Sequence, residues 1–190
     1  MNIKLGEIAY EILFGSYEKP KDEGRVKYLY AGHFDDTYMP TKFEGSYVEL
    51  NSSSDKFLLR SNDVILAGKG HRIFAWAYDP DFGQAIPSSL FYIIRTNPEK
   101  IFGEYLASLL NSEKMQHKLN LIGSGATITS IPKKELVDLD IVVPSISKQL
   151  KLMELSHLLN ENISLTKKLL KQKETLKRGA INKMINNLNK

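Results

Sequence analysis

The sequence predicts an α+β fold in two parts, a β-rich domain over residues 1–145 and a long coiled-coil helix over residues 146–190. Three observations carry this. Up to about residue 97, short runs of β-branched and aromatic residues alternate with Gly, Asn, Asp and Pro. Beyond that point the apolar residues recur at helical spacing. The segment from about 148 onward holds no proline and a single glycine, Gly179.

Taken in order, "KLGEIAYEILF" near the start suits either a helical turn or a strand. The runs RVKYLYA (25–31), SYVEL (46–50), KFLLR (56–60), DVILA (63–67), IFAWAY (73–78) and LFYIIR (90–95) read as strands. Asn97 then offers an N-cap, with Pro98 at the first helical position and Glu99 in the first turn. Phe102, Tyr105, Leu106, Leu109 and Leu110 continue that helix, and Ser112 caps a second one carrying Met115, Leu119 and Ile122. Ser130 followed by IPKKEL predicts another capped turn, LDIVV (139–143) a strand, and Pro144 its stop.

In the tail, Leu152, Leu155, Leu159, Asn162, Thr166, Leu169, Lys173, Leu176 and Ala180 follow the 3-4 alternation of a coiled-coil seam, and Met184 and Leu188 extend it in steps of four. A helix of about 41 residues would span roughly 60 Å. A domain of ~145 residues is only about 30–40 Å across, so the stripe needs a partner helix.

The 190 residues, 42% of them hydrophobic, suffice for one sizeable core. The absence of cysteine excludes disulfides, thiolate metal sites and cysteine nucleophiles. No basic-then-apolar leader is present and no run approaches the ~18 apolar residues of a membrane span, so a cytoplasmic protein without a membrane partner is expected. The net charge of +4 is divided unevenly: residues 147–190 hold ten Lys/Arg against three acids, or +7, leaving −3 for the rest. A basic tail suits nucleic acid or a merely solvated helix.

The order of these pieces resembles the specificity subunits of type I restriction–modification systems. The carrying stretches are IKLGEIAYEILFG, NDVILAGKGHR, IRTNPEKIFGEYLASLLNSEKMQ, GSGATITSIPKKELVDLDIVVP and LKRGAINKMI. At the junction, Pro144, Ile146 and Gln149 match the family's Pro-Pro-Leu-x-x-Gln pattern, with Ser145 in place of the second proline and Ser147-Lys148 in place of the usual acidic pair. The family carries two recognition domains in tandem, each with a spacer helix; this chain has one of each, like a half-size subunit.

The resemblance implies a target recognition domain, double-stranded DNA as ligand, and methyltransferase (modification) subunits as partners, with a restriction subunit where one exists. It implies adenine methylation, and restriction, directed to a bipartite site. Two copies paired antiparallel through Leu152, Leu155, Leu159, Leu169 and Leu176 would read a palindromic, interrupted target; pairing with a different half subunit stays open.

For DNA contacts, AGKGHRIFAW (67–76) presents Lys69, His71 and Arg72 on a glycine-flanked loop, where they would reach phosphates or guanine edges, or form an ordinary solvated turn. GSGAT (123–127) offers backbone N–H groups with Ser124 and Thr127, followed by Lys133 and Lys134; it is a phosphate anchor or a plain connector. Lys42, Arg60, Tyr28 and Tyr38 are weaker candidates. The negative first part would bind DNA weakly alone, so clustered lysines or partner subunits must supply the grip.

Catalysis is not expected, nor a metal or cofactor. No acid stands two residues before a lysine, as PD-(D/E)xK nucleases require, and no GxxxxGK[ST] loop exists. His33, His71, His117 and His157 lack ligand spacing. "DPDF" (79–82) departs from the amino-methyltransferase motif at Asp81 and suits a turn. The alternative function is a non-catalytic coiled-coil adaptor between proteins.

Overall fold

Among the described residues the elements run β1 (Asn2–Lys4), α1 (Leu5–Ile8), β2 (Ala9–Phe14), β3 (Val26–Leu29), β4 (Tyr47–Val48), β5 (Val64–Ala67), β6 (Lys69–Gly70), β7 (Ala75–Ala77), β8 (Ala85–Pro87) and β9 (Phe91–Thr96). There follow α2 (Gly103–Leu110), α3 (Glu113–Gly123), β10 (Thr129–Ser130), α4 (Lys133–Val137), β11 (Asp140–Val142) and α5 (Ile146–Leu188). The computed structural model describes residues 2–40, 45–52, 54–123 and 129–188. It divides the chain into two compact units, Met1–Gln149 and Leu150–Lys190. This is the mixed α+β architecture the sequence predicts, sheets followed by a long C-terminal helix.

The first unit is built on the sheet β2-β9-β5-β7, antiparallel throughout. β5 and β9 are buried along their whole length, which is why VILA and the FYII of β9 read as apolar runs, with Arg95 and Thr96 buried beyond them. Ile65, Ala67, Phe91 and Ile93 pack with Leu29, Phe34, Phe74 and Trp76 in the main core. α2 lies against β5 and β7 with Leu106 and Leu110 wholly buried. The edge strand β7 is closed by the Asn111 amide, which accepts from the Ala75 N–H and donates to its carbonyl, both at 2.8 Å. A smaller sheet, β4-β3-β8, gathers Val26, Tyr28, Val48 and Ile86. β1 pairs antiparallel with β11, and Lys4 Nζ lies 2.8 Å from Asp140 Oδ1.

Four local readings change, each for a tertiary reason. KFLLR is not a strand: a 3-10 turn spans Asp55–Phe57, and the carbonyls of Lys56 and Leu58 accept from the Arg95 guanidinium at 2.8 and 3.1 Å. Arg95 itself is 2% exposed and also reaches Glu11 at 2.5 Å and Asp63 at 3.4 Å. Burial raises the Asp63 carboxyl above its ordinary value, opposed by the Arg60 N–H and by Arg95.

The second change is at Asn97, which closes a turn by accepting from the Glu99 N–H at 2.9 Å, while the helix proper begins at Gly103. Its first donors are satisfied from afar: Gly103 N–H by Asn62 Oδ1 at 2.6 Å and Phe102 N–H by Gln149 Oε1 at 2.9 Å. Asn62 holds φ +70°, a left-handed backbone that asparagine tolerates, and its amide nitrogen spans Thr96 and Ile101. Third, the Ser112 hydroxyl turns back to the Leu109 carbonyl instead of capping α3. Fourth, Ser130 sits in β10, and Pro132 precedes α4 without a side-chain cap.

The first turn of α5 belongs to the first unit, where Gln149 is wholly buried. The second unit is the remaining length of this one helix. Over the described part of it no side chain is buried, and Leu152, Leu155, Leu159, Leu169 and Leu176 are each half or more exposed.

Candidate nucleic-acid interface

The glycine-flanked Lys69 segment singled out in the sequence pairs with β10, the short strand that follows the GSGAT stretch in sequence. β6 pairs antiparallel with β10, Gly70 opposite Thr129 and Lys69 opposite Ser130. The Ile131 N–H extends the pairing to the Gly68 carbonyl at 2.8 Å. Both Gly68 and Lys69 donate their N–H groups to the Leu90 carbonyl, at 3.1 and 3.2 Å. Gly68 is required by close approach, since a Cβ there would stand 2.5 Å from the Tyr92 ring. The Tyr92 hydroxyl donates to the Ile131 carbonyl at 2.6 Å, fastening β10 to the core, and burial pushes this phenol up to about 12.

Lys69 holds its ammonium 4.7 Å from the Phe14 ring centre, and His71 is exposed. Lys133 and Lys134 are exposed on α4, just beyond Ile131. Arg72 is engaged: it donates to the Phe34 carbonyl at 2.7 Å, lies 3.4 Å from Asp36 and covers the Phe74 ring at 4.8 Å. It ties the 31–40 segment to the core, where Tyr38 stacks on Phe74 with φ +61°. Arg60 is exposed in the turn that precedes β5, whereas Lys69 follows that strand, so the two stand at opposite ends of it. Lys42, Ser124 and Thr127 lie outside the described residues.

Tyr28 is excluded as a DNA contact. It is 1% exposed, and its hydroxyl donates to the Ser16 carbonyl at 2.7 Å and accepts from the Glu18 N–H at 3.0 Å. The segments at 15–18 and 88–90 belong to the same edge as the Lys69 loop. Ser16 bridges Ser88, its N–H reaching the Pro87 carbonyl at 3.0 Å, and the Gly15 N–H reaches Phe91 at 2.9 Å. Sequence reasoning passed over both, because nothing in their composition marks them apart from exposed Tyr17 and Leu90.

Among the described residues no group of three His, Cys, Asp or Glu could hold a metal ion. DPDF is a 3-10 turn whose Asp79 carboxylate accepts from the Asp81 N–H at 2.9 Å. Among the described residues no helix is long and apolar enough to cross a membrane.

No family model and no curated relative matches the sequence. The fold does match solved structures. A type I restriction–modification system S subunit from M. genitalium aligns with a TM-score of 0.63 and 14% identity, over 86% of this chain and 40% of that one. An HsdS subunit from Thermoanaerobacter tengcongensis gives 0.54 and 15%, over 86% and 38%. A chain from a structure of type I R-M complex assembly and conformational transition gives 0.62 and 20%, over 89% and 44%. Most of this chain is thus covered by a fold of the S-subunit type, and the chain spans less than half the length of each of these three chains.

Proposed function

We propose that the chain is the DNA-reading part of a type I restriction–modification assembly, placing a separate adenine methyltransferase on a bipartite target. The reading rests on one juxtaposition: the Lys69–His71 loop lies against β10, which leads through Ile131 into Lys133 and Lys134 of α4, on a fold of the S-subunit type. Cations on neighbouring loops of a rigid sheet suit phosphate positioning, and the polar groups between them suit base readout. The chain supplies recognition and no chemistry. Methyltransferase subunits and, where present, a restriction subunit act on the DNA it selects, in the cytoplasm.

Two copies pair through the exposed leucines of α5, so the assembly reads a palindromic, interrupted site. Mapping methylated adenines in cells carrying the chain with its cognate methyltransferase tests this. A new palindromic, interrupted motif is expected. An asymmetric motif would require a different second half, and no motif from an assembled complex would leave the adaptor function, which the exposed α5 leucines favour.

A further inference from the structure

Tyr17 is the most exposed of the large apolar side chains described in the first unit, at 82%. The backbone that carries it is fixed. The carbonyl of Ser16 and the N–H of Glu18, on either side of it, are both held by the buried Tyr28 hydroxyl, at 2.7 and 3.0 Å. The Ser16 hydroxyl donates to the Glu18 carboxylate at 2.7 Å, and Ser16 bridges Ser88. Tyr28 stands edge-on to Tyr30 at 4.8 Å. Burial raises the Tyr30 phenol above its ordinary value, and the neighbouring Tyr17 phenol adds to it.

The ring is thus held out into water on a backbone that three hydrogen bonds of its neighbours fix, with little of its own surface buried. Its surroundings place it on the edge described above. Residues 15–16 bond to 87 and 91, Leu90 bonds to Gly68 and Lys69, and Gly68 bonds to Ile131, so Tyr17 shares a hydrogen-bonded rim with the cationic loop. Lys69 meets Phe14, three residues before Tyr17.

We propose that Tyr17 is a base-specifying contact, a planar group presented to a base edge beside the lysines that hold the phosphates. The inference rests on the DNA-reading function proposed above. An uncharged ring releases no counterions, so its part in binding is selectivity, while Lys69, Lys133 and Lys134 supply the salt-dependent share. A preorganised ring also loses little freedom when it docks.

The test is selection from a randomised duplex DNA pool by the full chain assembled with its methyltransferase, comparing wild type, Tyr17→Ala and Tyr17→Phe. Wild type should enrich a motif. Tyr17→Ala should lose about tenfold of the preference at one or two positions, leaving the rest and the salt dependence unchanged. Tyr17→Phe, which keeps the ring, should retain most of it. An Ala variant that enriches the wild-type motif, or weakens all positions and random DNA alike, overturns the proposal while the DNA-reading function stands. A wild-type complex that enriches no motif overturns both. Equal thermal unfolding of the three chains shows that the change lies in recognition.

Discussion

Gln149 accepts a hydrogen bond from the Phe102 N–H at 2.9 Å, across 47 residues of sequence. Its amide nitrogen donates to the Lys100 carbonyl at 3.0 Å and the Pro144 carbonyl at 2.9 Å, so every polar atom of a wholly buried side chain is used. One glutamine therefore satisfies a donor at the start of α2 and secures the first turn of α5.

Replacing Gln149 with Leu should remove the partner of three backbone groups at once and cost about 2–4 kcal/mol. Gln149→Glu keeps the acceptor for Phe102 but turns a carboxylate oxygen toward the Lys100 and Pro144 carbonyls, and should cost at least as much. Chemical denaturation of the full chain, followed by the fluorescence of Trp76, measures both.

The proposed DNA-reading function separates two cations of one loop. Lys69→Ala should weaken binding to all duplexes and lower the salt slope by about one. Arg72→Ala should instead lower stability, since it removes the bond to the Phe34 carbonyl and uncovers Phe74. Binding titrations at several salt concentrations, beside thermal melts, distinguish these effects. Unchanged affinity in a folded Lys69→Ala variant removes that residue from the interface.

Acidification should loosen the contacts that His33 makes with Tyr30 and Ser46. The Tyr30 N–H donates to its Nδ1 at 3.1 Å, so the neutral ring carries its proton on Nε2, 3.1 Å from the Ser46 hydroxyl. Burial holds the His33 pKa below its ordinary value. The unfolded chain then takes up a proton more readily than the folded one, so this contribution is complete above about pH 6.5 and is lost as pH falls through the lower folded value. Melting temperature should drop between about pH 7.5 and about pH 5.5. The drop should be smaller in His33→Gln.

Association through α5 should be abolished by Leu155→Asp with Leu159→Asp, which places two charges on the seam. Light scattering should show the wild-type chain as a dimer and the double variant as a monomer. A wild-type monomer, both alone and in the assembled complex, would refute pairing.

Gly15→Ala should disrupt folding, because the added Cβ would land on the carbonyl oxygens of Pro87 and Ser88. These are backbone atoms of a bridged segment and cannot swing aside, so a loss of about 3 kcal/mol is expected from denaturant melts.

The central strands were legible because burial left its mark in composition: VILA and FYII are apolar without a break. The length of α5 was legible from an unbroken run free of proline. Where side chains distant in sequence satisfy the backbone, local signals misled. KFLLR has strand composition, yet its carbonyls are claimed by Arg95, and the apparent cap at Asn97 is superseded by Asn62 and Gln149. At the interface, glycine and lysine marked the Lys69 loop, but its pairing with β10 joins residues some sixty positions apart, and no local pattern encodes that. Tyr17 was overlooked for the same reason, its setting being built by Tyr28 and Ser88.

The antiparallel pairing of β1 with β11, Asn2 opposite Val142, brings the first and last strands of the first unit side by side. A unit whose terminal strands are neighbours can in principle be set into a longer polypeptide without rethreading its sheets. Insertion or exchange of the whole unit would then need only two adjacent joints.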